Sequence, residues 1–290
     1  MKESSKMNLD NRAAMVVFSG GQDSTTCLGW ALQEFDTVHC VSFDYGQRHA
    51  IELDAARSVI AHFEAQTGRT IAHEIVTLGG FTFAGTSPLT APDEPLETYE
   101  NHTQMEEVIG DRVEKTFVPM RNAVFLMLAA NRAVVANCAT LVTGVCQADN
   151  ANYPDCRETF IESANDTIET ALGLAMGDFE IATPLMNMSK AESIELAQQT
   201  SFTYAALAFS HTAYDGSYPP TSKDHASVLR AHGFEEANMP DPLVVRAWLD
   251  NKMELPETAN YDLVKGDHGA GGLPDYLTDL LDVLQVYINR

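Results

Sequence analysis

The sequence predicts an α/β fold, in which a parallel sheet is flanked by helices and followed by a mainly helical C-terminal region. Over the first 200 residues, apolar runs of strand length alternate with segments that carry apolar residues at helical spacing. Such alternation is typical of β–α–β crossovers, which place successive strands parallel in one sheet. From Phe202 onward the strand-like runs stop, and turn-rich or helical patterns remain.

Each strand is predicted from an apolar or β-branched run that ends at turn residues. The predicted strands cover residues 14–18, 37–43, 70–78, 141–145 and 180–182. Helices are predicted where apolar residues recur every three or four positions. In the α/β domain, one helix follows Ser24, two cover residues 50–64 and 123–135, one ends at Leu172, and one begins at the Ser189–Glu192 capping box. In the C-terminal region, three helices cover residues 227–232, 243–253 and 276–287.

These patterns predict a tail over residues 1–13, a nucleotide-binding α/β domain over residues 14–200, and a mainly helical region over residues 201–290. Within the α/β domain, residues 79–115 carry three prolines, many acids and little periodicity. We expect this stretch to form an irregular insertion or lid, and a mobile acidic linker without a role is the alternative.

Charge and cysteine content narrow the functional classes. The 290-residue chain has a net charge of -23, from 41 acidic and 18 basic residues. Such a surface repels phosphate backbones, so we expect no nucleic-acid partner and no anionic membrane partner. The five cysteines show no CxxC spacing, the N-terminus lacks a signal-peptide pattern, and no apolar run has the length of a membrane span. Together these features predict a cytoplasmic protein.

A Ser-Gly-Gly-Gln-Asp-Ser loop, residues 19–24, joins the first predicted strand to the first predicted helix. Gly20 and Gly21 let an anion approach the backbone without interference from a Cβ atom. The free N–H groups and the positive dipole end of the following helix favour a phosphate there. An ordinary glycine-rich turn is the alternative, but the flanking elements favour a nucleotide site. The loop resembles the PP-loop of ATP pyrophosphatases, which adenylate a substrate and release pyrophosphate.

Other candidate ligands follow predicted strands or begin predicted helices, at the sheet edge where α/β proteins bind ligands. Arg121 suits a phosphate or carboxylate through its planar donor fork, and Asn122 beside it is either a ligand or a helix N-cap. Asp155 with Glu158 forms a helix cap pair, a role compatible with ligand binding. Lys190 opposes the dipole in the first turn of its helix, so we predict an anionic partner facing the pocket.

Several motifs in order along the chain resemble the QueC family, the 7-cyano-7-deazaguanine synthases of queuosine and 7-deazapurine biosynthesis. They span roughly residues 14 to 250 and are far more specific together than the PP-loop is alone. They comprise residues 16–28, Phe43-Asp44-Tyr45-Gly46-Gln47-Arg48-His49, Thr116-Phe117-Val118-Pro119 with Arg121-Asn122, Thr143-Gly144-Val145-Cys146, Tyr153-Pro154-Asp155-Cys156-Arg157, and Thr183-Pro184-Leu185-Met186 with Lys190-Ala191-Glu192.

The resemblance implies an adenine nucleotide alpha hydrolase-like, Rossmann-like fold and an ATP-dependent carbon–nitrogen ligase. Its substrates would be 7-carboxy-7-deazaguanine, ATP and ammonia, its product the nitrile, and its intermediates an adenylate and an amide. It also implies Mg²⁺ at the phosphates, with the Asp23 carboxylate in reach, and a homodimer. Such chemistry needs positioning and charge neutralisation more than a protein nucleophile.

On this basis we assign three sets of site residues. The predicted catalytic residues are Ser19, Asp23, Ser24, Arg121 and Lys190. The predicted ATP-binding residues are Phe18, Ser19, Gly20, Gly21, Gln22, Asp23, Ser24, Thr25 and Gly144. The predicted substrate-binding residues are Tyr45, Gln47, Arg48, Arg121, Asn122, Asp149, Tyr153, Asp155 and Arg157.

The chain departs from the family at a structural zinc site, which the resemblance implies to be held by four cysteines. The corresponding positions hold Ala213, Thr221, Asp224 and Ser227. Because a tetrahedral zinc site has no thiolate ligands here, zinc is predicted absent. The less favoured alternative is a rebuilt site that uses His211, Asp224, His225 and His232.

Two further departures concern the pocket. Met120 stands where the family usually has glycine, and Gln147 stands where it usually has glutamate. A carboxylate reads the N–H donors of a guanine-like edge well, so Asp149 or Asp155 would take that role here. Two other functions stay open: a PP-loop enzyme that adenylates a different deazaguanine or a macromolecular substrate, and a nucleotide-binding protein that has lost catalysis. The intact loop and the retained arginines argue against lost catalysis.

Overall fold

A computed structural model describes residues 8–47, 51–78, 83, 87–91, 93–147, 152–266 and 272–289. Its centre is a sheet of five parallel strands. The strands are β1 Asp10–Val17, β2 Thr37–Asp44, β3 Ala72–Thr77, β4 Cys138–Val142 and β5 Glu180–Ala182. Their order across the sheet is β3-β2-β1-β4-β5, so the chain reverses its direction of strand addition beside β1. Ligands of open α/β sheets bind at such a switch point, at the carboxyl ends of the strands.

Helices connect and follow the strands. They are α1 Gln22–Glu34, α2 Ile51–Thr67, α3 His102–Ile109, α4 Arg121–Val135, α5 Glu158–Leu172, α6 Lys190–Gln199, α7 Thr203–Ala206, α8 His225–Glu236, α9 Pro242–Leu249, α10 Asp262–Lys265 and α11 Asp275–Ile288. Short 3-10 turns cover Pro154–Cys156, Leu207–Phe209 and Ala259–Tyr261. No helix in the described ranges is both long enough and apolar enough to cross a membrane.

The sheet is buried on both faces because its strand residues alternate between two cores. In β1, Ala13 and Met15 face a core that also contains apolar residues of α4 and α5. Ala14 and Val16 face the opposite core, which contains apolar residues of α1 and α2. The apolar runs that predicted these strands are therefore continuous, as expected of a sheet covered on both sides.

The C-terminal region has a core of its own, built from helices α6 to α9 and α11. Leu277, Leu280 and Leu284 form the buried stripe of α11 and are fully buried in this core. The predicted helical character of this region is confirmed. The predicted division into domains stays a prediction.

Two element predictions need correction. The first strand begins at Asp10, so residues 10–13 belong to the sheet rather than to the predicted tail. The predicted irregular insertion contains helix α3, whose N-cap Asn101 accepts a hydrogen bond from the Gln104 N–H at 2.9 Å. Met105 and Ile109 bury the apolar side of α3 in a small cluster with α8. The asparagine three residues before a glutamine was the available helix-start signal.

Candidate active site

The carboxyl ends of β1, β2 and β4 open into a cavity of about 410 Å³, a size typical of small-molecule sites. Most of the predicted site residues line it. They are Phe18, Ser19, Gly21, Gln22, Asp23, Ser24, Tyr45, Gln47, Arg121, Asn122, Gly144, Tyr153, Arg157 and Lys190. Residues that lie far apart in the sequence therefore meet at one edge of the sheet.

The loop of residues 19–24 forms the floor of the cavity and is fixed by its own hydroxyl groups. The Ser19 and Ser24 hydroxyl oxygens lie 3.1 Å apart, and the Gly21 N–H donates to Ser19 Oγ at 3.2 Å. The first bond within α1 runs from the Thr25 N–H to the Gly21 carbonyl. The N–H groups of residues 22–24 therefore have no carbonyl partner within the helix, which suits an anion.

Gly20 packs against α2 and does not line the cavity. Its φ of +83° lies in the left-handed region, and a Cβ atom there would lie 2.5 Å from the Ala56 nitrogen of α2. Gly144 contacts the loop at Asp23, since a Cβ atom at position 144 would lie 3.1 Å from the Asp23 carbonyl carbon. Both glycines let neighbouring segments approach the loop closely.

A buried amide in the loop lacks a hydrogen-bond partner. Gln22 is only 4% exposed and lines the cavity, yet its Nε2 donates to no atom of the described residues. A buried polar atom in this state costs free energy unless a ligand satisfies it. A phosphate oxygen in the cavity would accept from it, so the loop fits a nucleotide. Thr25, also predicted to bind ATP, is fully buried and does not line the cavity.

The Lys190 ammonium donates to both carboxylate oxygens of Asp23, at 3.0 and 2.9 Å. Lys190 is the first residue of α6, and the predicted capping box between Ser189 and Glu192 is present at this helix start. The predicted anionic partner of Lys190 in the pocket is thus found, and it is the acid of the loop itself. The pair places one cation and one carboxylate beside the N–H groups of residues 22–24, which suit a phosphate.

Arg121 faces the cavity from the first position of α4. The phenols of Tyr45, Tyr153 and Tyr214, which come from three separate segments, lie near it. Burial raises the pKa of all three phenols, and they are neutral at physiological pH. None of the ion pairs among the described residues includes Arg121. The carboxyl groups of Glu52 and Asp155 lie near Arg121 without forming an ion pair, so this half-buried guanidinium is suited to bind an anionic ligand.

A family profile described as "Queuosine biosynthesis protein QueC" matches residues 13–238. The chain belongs to the QueC family. It is 43% identical over 234 residues to a 7-cyano-7-deazaguanine synthase of Gloeobacter violaceus, which covers 80% of this chain and 95% of that protein. It is 44% identical over 238 residues to the enzyme of the same name from Laribacter hongkongensis, over 82% of this chain and 96% of that one.

A solved structure with weaker likeness is a 4-thiouridine synthetase in complex with RNA and bound ATP. The two chains share 16% identity at a TM-score of 0.43, over 83% of this chain and 53% of that chain.

Some predicted site residues of this QueC-family chain lie elsewhere. Asp155 lies in the turn before α5 and does not line the cavity, although its carboxyl lies near Arg121. Its backbone carbonyl accepts from Asn122 Nδ2 at 3.2 Å. The Asn122 side chain is therefore not the N-cap of α4, a position that Met120 occupies. Arg157 is the N-cap of α5, and the predicted cap pair of Asp155 with Glu158 is wrong. The predicted ligands Arg48 and Asp149 lie outside the described residues.

Sequence reasoning missed Glu52, which lines the cavity from the first turn of α2. Burial raises the pKa of this carboxyl to about 7, although the nearby Arg121 opposes the rise. In the sequence Glu52 is typical of an acid at a helix start, where the dipole favours it. Tyr214 was also missed as a site residue, because its segment contacts the cavity only through tertiary folding.

The substitution at position 120 has a backbone explanation. Met120 has left-handed backbone angles, with φ of 65° and ψ of 4°, and its side chain is 66% exposed. Glycine suits that conformation, and the methionine side chain does not line the cavity. The expectation that Met120 alters the pocket is therefore wrong. Gln147 does line the cavity, and its Nε2 donates to Asn187 Oδ1 at 2.6 Å.

Asp224, one of the four positions that the family resemblance assigns to zinc ligands, is 1% exposed. Its carboxylate accepts from the Tyr214 N–H at 2.7 Å, Ser222 Oγ at 2.9 Å and the Ser227 N–H at 2.8 Å. Within the described ranges, no three His, Cys, Asp or Glu side chains are placed to hold a metal ion. A carboxylate that already accepts three hydrogen bonds beside alanine, threonine and serine does not fit a tetrahedral zinc site.

We expect Asp224→Ala to lower the stability of the chain by about 2 to 4 kcal/mol, because it leaves three part-buried donors unsatisfied. Dialysis against a chelator is expected to leave the unfolding midpoint unchanged. Ser227→Ala is the matched control, since Ser227 contacts Asp224 through its backbone N–H. Urea unfolding with metal analysis checks both expectations. Stoichiometric zinc, or a midpoint that falls on chelation, would contradict them.

Proposed function

We propose that this QueC-family chain is a 7-cyano-7-deazaguanine synthase, which converts 7-carboxy-7-deazaguanine and ammonia to the nitrile at the expense of ATP. The names of its relatives support this activity, since both are called 7-cyano-7-deazaguanine synthase. The observation that carries the proposal is the pairing of two features in one cavity. The loop of residues 19–24 lines the same cavity as Arg121, which has three phenols near it and forms no ion pair among the described residues.

The chemistry explains why both features are needed. A carboxylate is a poor electrophile, so its oxygen first attacks the α-phosphate of ATP and pyrophosphate leaves. Ammonia then displaces AMP from the carbonyl carbon and gives the amide. A second ATP adenylates the amide oxygen, and loss of AMP and two protons gives the nitrile. Each adenylation requires a carboxyl-derived group and an α-phosphate in contact, with the phosphate charge neutralised.

Individual residues have distinct roles in this proposal. The N–H groups of residues 22–24, the Ser19 and Ser24 hydroxyls and the Gln22 amide bind the phosphates that leave as pyrophosphate. Lys190 supplies a positive charge beside them. Asp23 is the loop carboxylate that fits Mg²⁺, which when bound would neutralise phosphate charge. Arg121 holds the substrate carboxylate through its donor fork, and Tyr45 and Tyr153 provide flat surfaces for the heterocycle.

The proposal extends to the partners, location and oligomeric state of the protein. We expect small-molecule substrates, no nucleic-acid partner, a cytoplasmic location and a homodimer. The net charge of -23 supports the exclusion of nucleic acid, because phosphate backbones are repelled by an acidic surface.

The test is a reaction of the purified chain with 7-carboxy-7-deazaguanine, ATP, Mg²⁺ and an ammonium salt, followed by mass spectrometry. The expected products are the amide at short times and the nitrile at long times, with AMP and pyrophosphate formed together. Omission of ammonium is expected to stop amide formation. If neither AMP nor amide appears, the proposal fails. AMP formed only with another 7-deazaguanine would favour a related enzyme with a different substrate.

A further inference from the structure

Glu52 is a carboxyl group in the cavity to which the assignments above give no role. It lies in the first turn of α2, directly beside the loop, since the Glu52 carbonyl would lie 2.7 Å from a Cβ atom at position 20. Its side chain lines the same cavity as the loop and Arg121. None of the hydrogen bonds recorded among the described residues involves the Glu52 carboxyl. It is therefore available to a ligand in the cavity.

The charged and titratable groups around Glu52 come from several elements. Arg121 faces it from α4, and the Tyr45 phenol lies near both side chains after β2. His211 lines the cavity beside the loop, and burial lowers its pKa, so it is neutral. Asp54 on α2 itself pairs with Arg57 at the surface. Arg121 is thus a cation with two carboxyl groups near it, Glu52 and Asp155, and of these two only Glu52 lines the cavity.

We propose that Glu52 is the general base that takes the protons released from nitrogen when the carboxyl group bound at Arg121 is aminated. This inference rests on the proposed function. If Arg121 binds the substrate carboxylate, the carbon that ammonia attacks lies next to Glu52. Glu52, whose carboxyl interacts with Arg121 and lines the same cavity, is then placed to take a proton from the attacking nitrogen.

The proton balance requires such a base. When ammonia attacks the adenylate, a carbon–nitrogen bond forms, the bond from carbon to the AMP oxygen breaks, and one nitrogen proton must leave. When the adenylated amide collapses to the nitrile, the second carbon–oxygen bond breaks and two more protons leave nitrogen. Glu52 accepts these protons one at a time and releases each to solvent. ATP and ammonia are the co-reactants, and nothing is oxidised or reduced.

The acidity of Glu52 suits this task. Burial raises its pKa to about 7, and a general base works best when its pKa lies near the operating pH. An ordinary surface glutamate would be a much weaker base. The placement of the group in the cavity and its acidity therefore point to the same role.

The test uses Glu52→Gln, which keeps the shape of the side chain and removes its basicity, with Asp54→Asn on the same helix as the matched control. Two rates are measured: substrate-dependent exchange of pyrophosphate into ATP without ammonia, and amide formation with ammonia. We expect Glu52→Gln to lower amide formation by about 10²- to 10⁴-fold, the usual contribution of a general base. Exchange is expected to stay within about threefold, because adenylation needs no base.

The pH profile distinguishes a general base from a structural residue, because a purely structural role would not change the shape of the profile. At a fixed concentration of free ammonia, amide formation by the unsubstituted chain is expected to rise with pH through about 7, and the residual rate of Glu52→Gln is expected to lack this rise. The inference is overturned if Glu52→Gln forms amide at the original rate, or if exchange and amide formation fall together. If the unsubstituted chain shows no exchange, the proposed function fails instead, so the two failures are distinguishable.

Discussion

Arg121→Met is expected to lower kcat/KM for 7-carboxy-7-deazaguanine by about two to three orders of magnitude. A bidentate pair between a guanidinium and a carboxylate contributes about 3 to 4 kcal/mol when both groups are removed from water. Among the described residues no carboxylate forms an ion pair with Arg121, so the substrate would be its principal anionic partner. The loss should appear in substrate-dependent pyrophosphate exchange as well as in nitrile formation.

Arg132→Met is the matched control for this prediction. Arg132 lies in the last turn of the same helix and pairs with Glu74 at the surface. Its substitution removes the same charge from α4 without touching the cavity, so we expect kcat/KM to change less than twofold. Arg121→Lys should recover part of the activity, since lysine keeps the charge but not the donor fork. Unchanged kcat/KM in Arg121→Met would show that the substrate carboxylate binds elsewhere.

The sequence predicted the parts of the site that depend on local pattern. The loop of residues 19–24 was predicted because an apolar strand, two glycines and a helix start are adjacent in the chain. The strands were predicted because both faces of the sheet are buried, which produces unbroken apolar runs. The anionic partner of Lys190 was expected because a cation in the first turn of a helix lacks a local explanation.

The rest depends on tertiary contacts that leave no local signal. The phenols around Arg121 come from the ends of separate segments, and Tyr214 is held there by a hydrogen bond to Asp224. Glu52 could not be distinguished from a solvated helix-start acid, because its raised pKa results from burial by other elements. Asp155 was predicted as a ligand from the motif of residues 153–157 and because Gln147 replaces a glutamate. It does not line the cavity, although its carboxyl lies near Arg121.

The loop is also supported from the C-terminal region. The His211 N–H donates to the Gly20 carbonyl at 2.9 Å, so the segment before α8 contacts the loop directly. Arg230 of α8 holds both neighbours of His211, through hydrogen bonds of 2.9 Å to Ser210 Oγ and to Thr212 Oγ1. Arg230 also forms a two-pronged pair with Asp241, at 2.7 and 2.8 Å. The C-terminal helices thereby fix the position of the phosphate-type loop.

Asp241→Ala is expected to destabilise the chain by about 3 to 5 kcal/mol, because it leaves the buried Arg230 charge without its partner. Both side chains of the pair are 4% exposed. Asp241 also accepts from the Leu243 N–H at the start of α9, so the variant loses a helix cap as well. Asp36→Ala breaks the exposed pair with Arg12 and should change stability very little. Urea unfolding gives both values.

A double-mutant cycle separates the cost of an unpaired charge from the cost of lost packing. In Arg230→Met with Asp241→Ala neither charge remains, so the double variant should be more stable than the sum of the single losses predicts, by about 2 kcal/mol or more. If the stability losses of the two single variants add up to that of the double variant, Arg230 and Asp241 do not act as a coupled pair. Since Arg230 positions the segment that contacts Gly20, ATP binding should weaken in Asp241→Ala even under conditions where the variant is fully folded. Unchanged ATP affinity there would show that the loop holds its shape without this support.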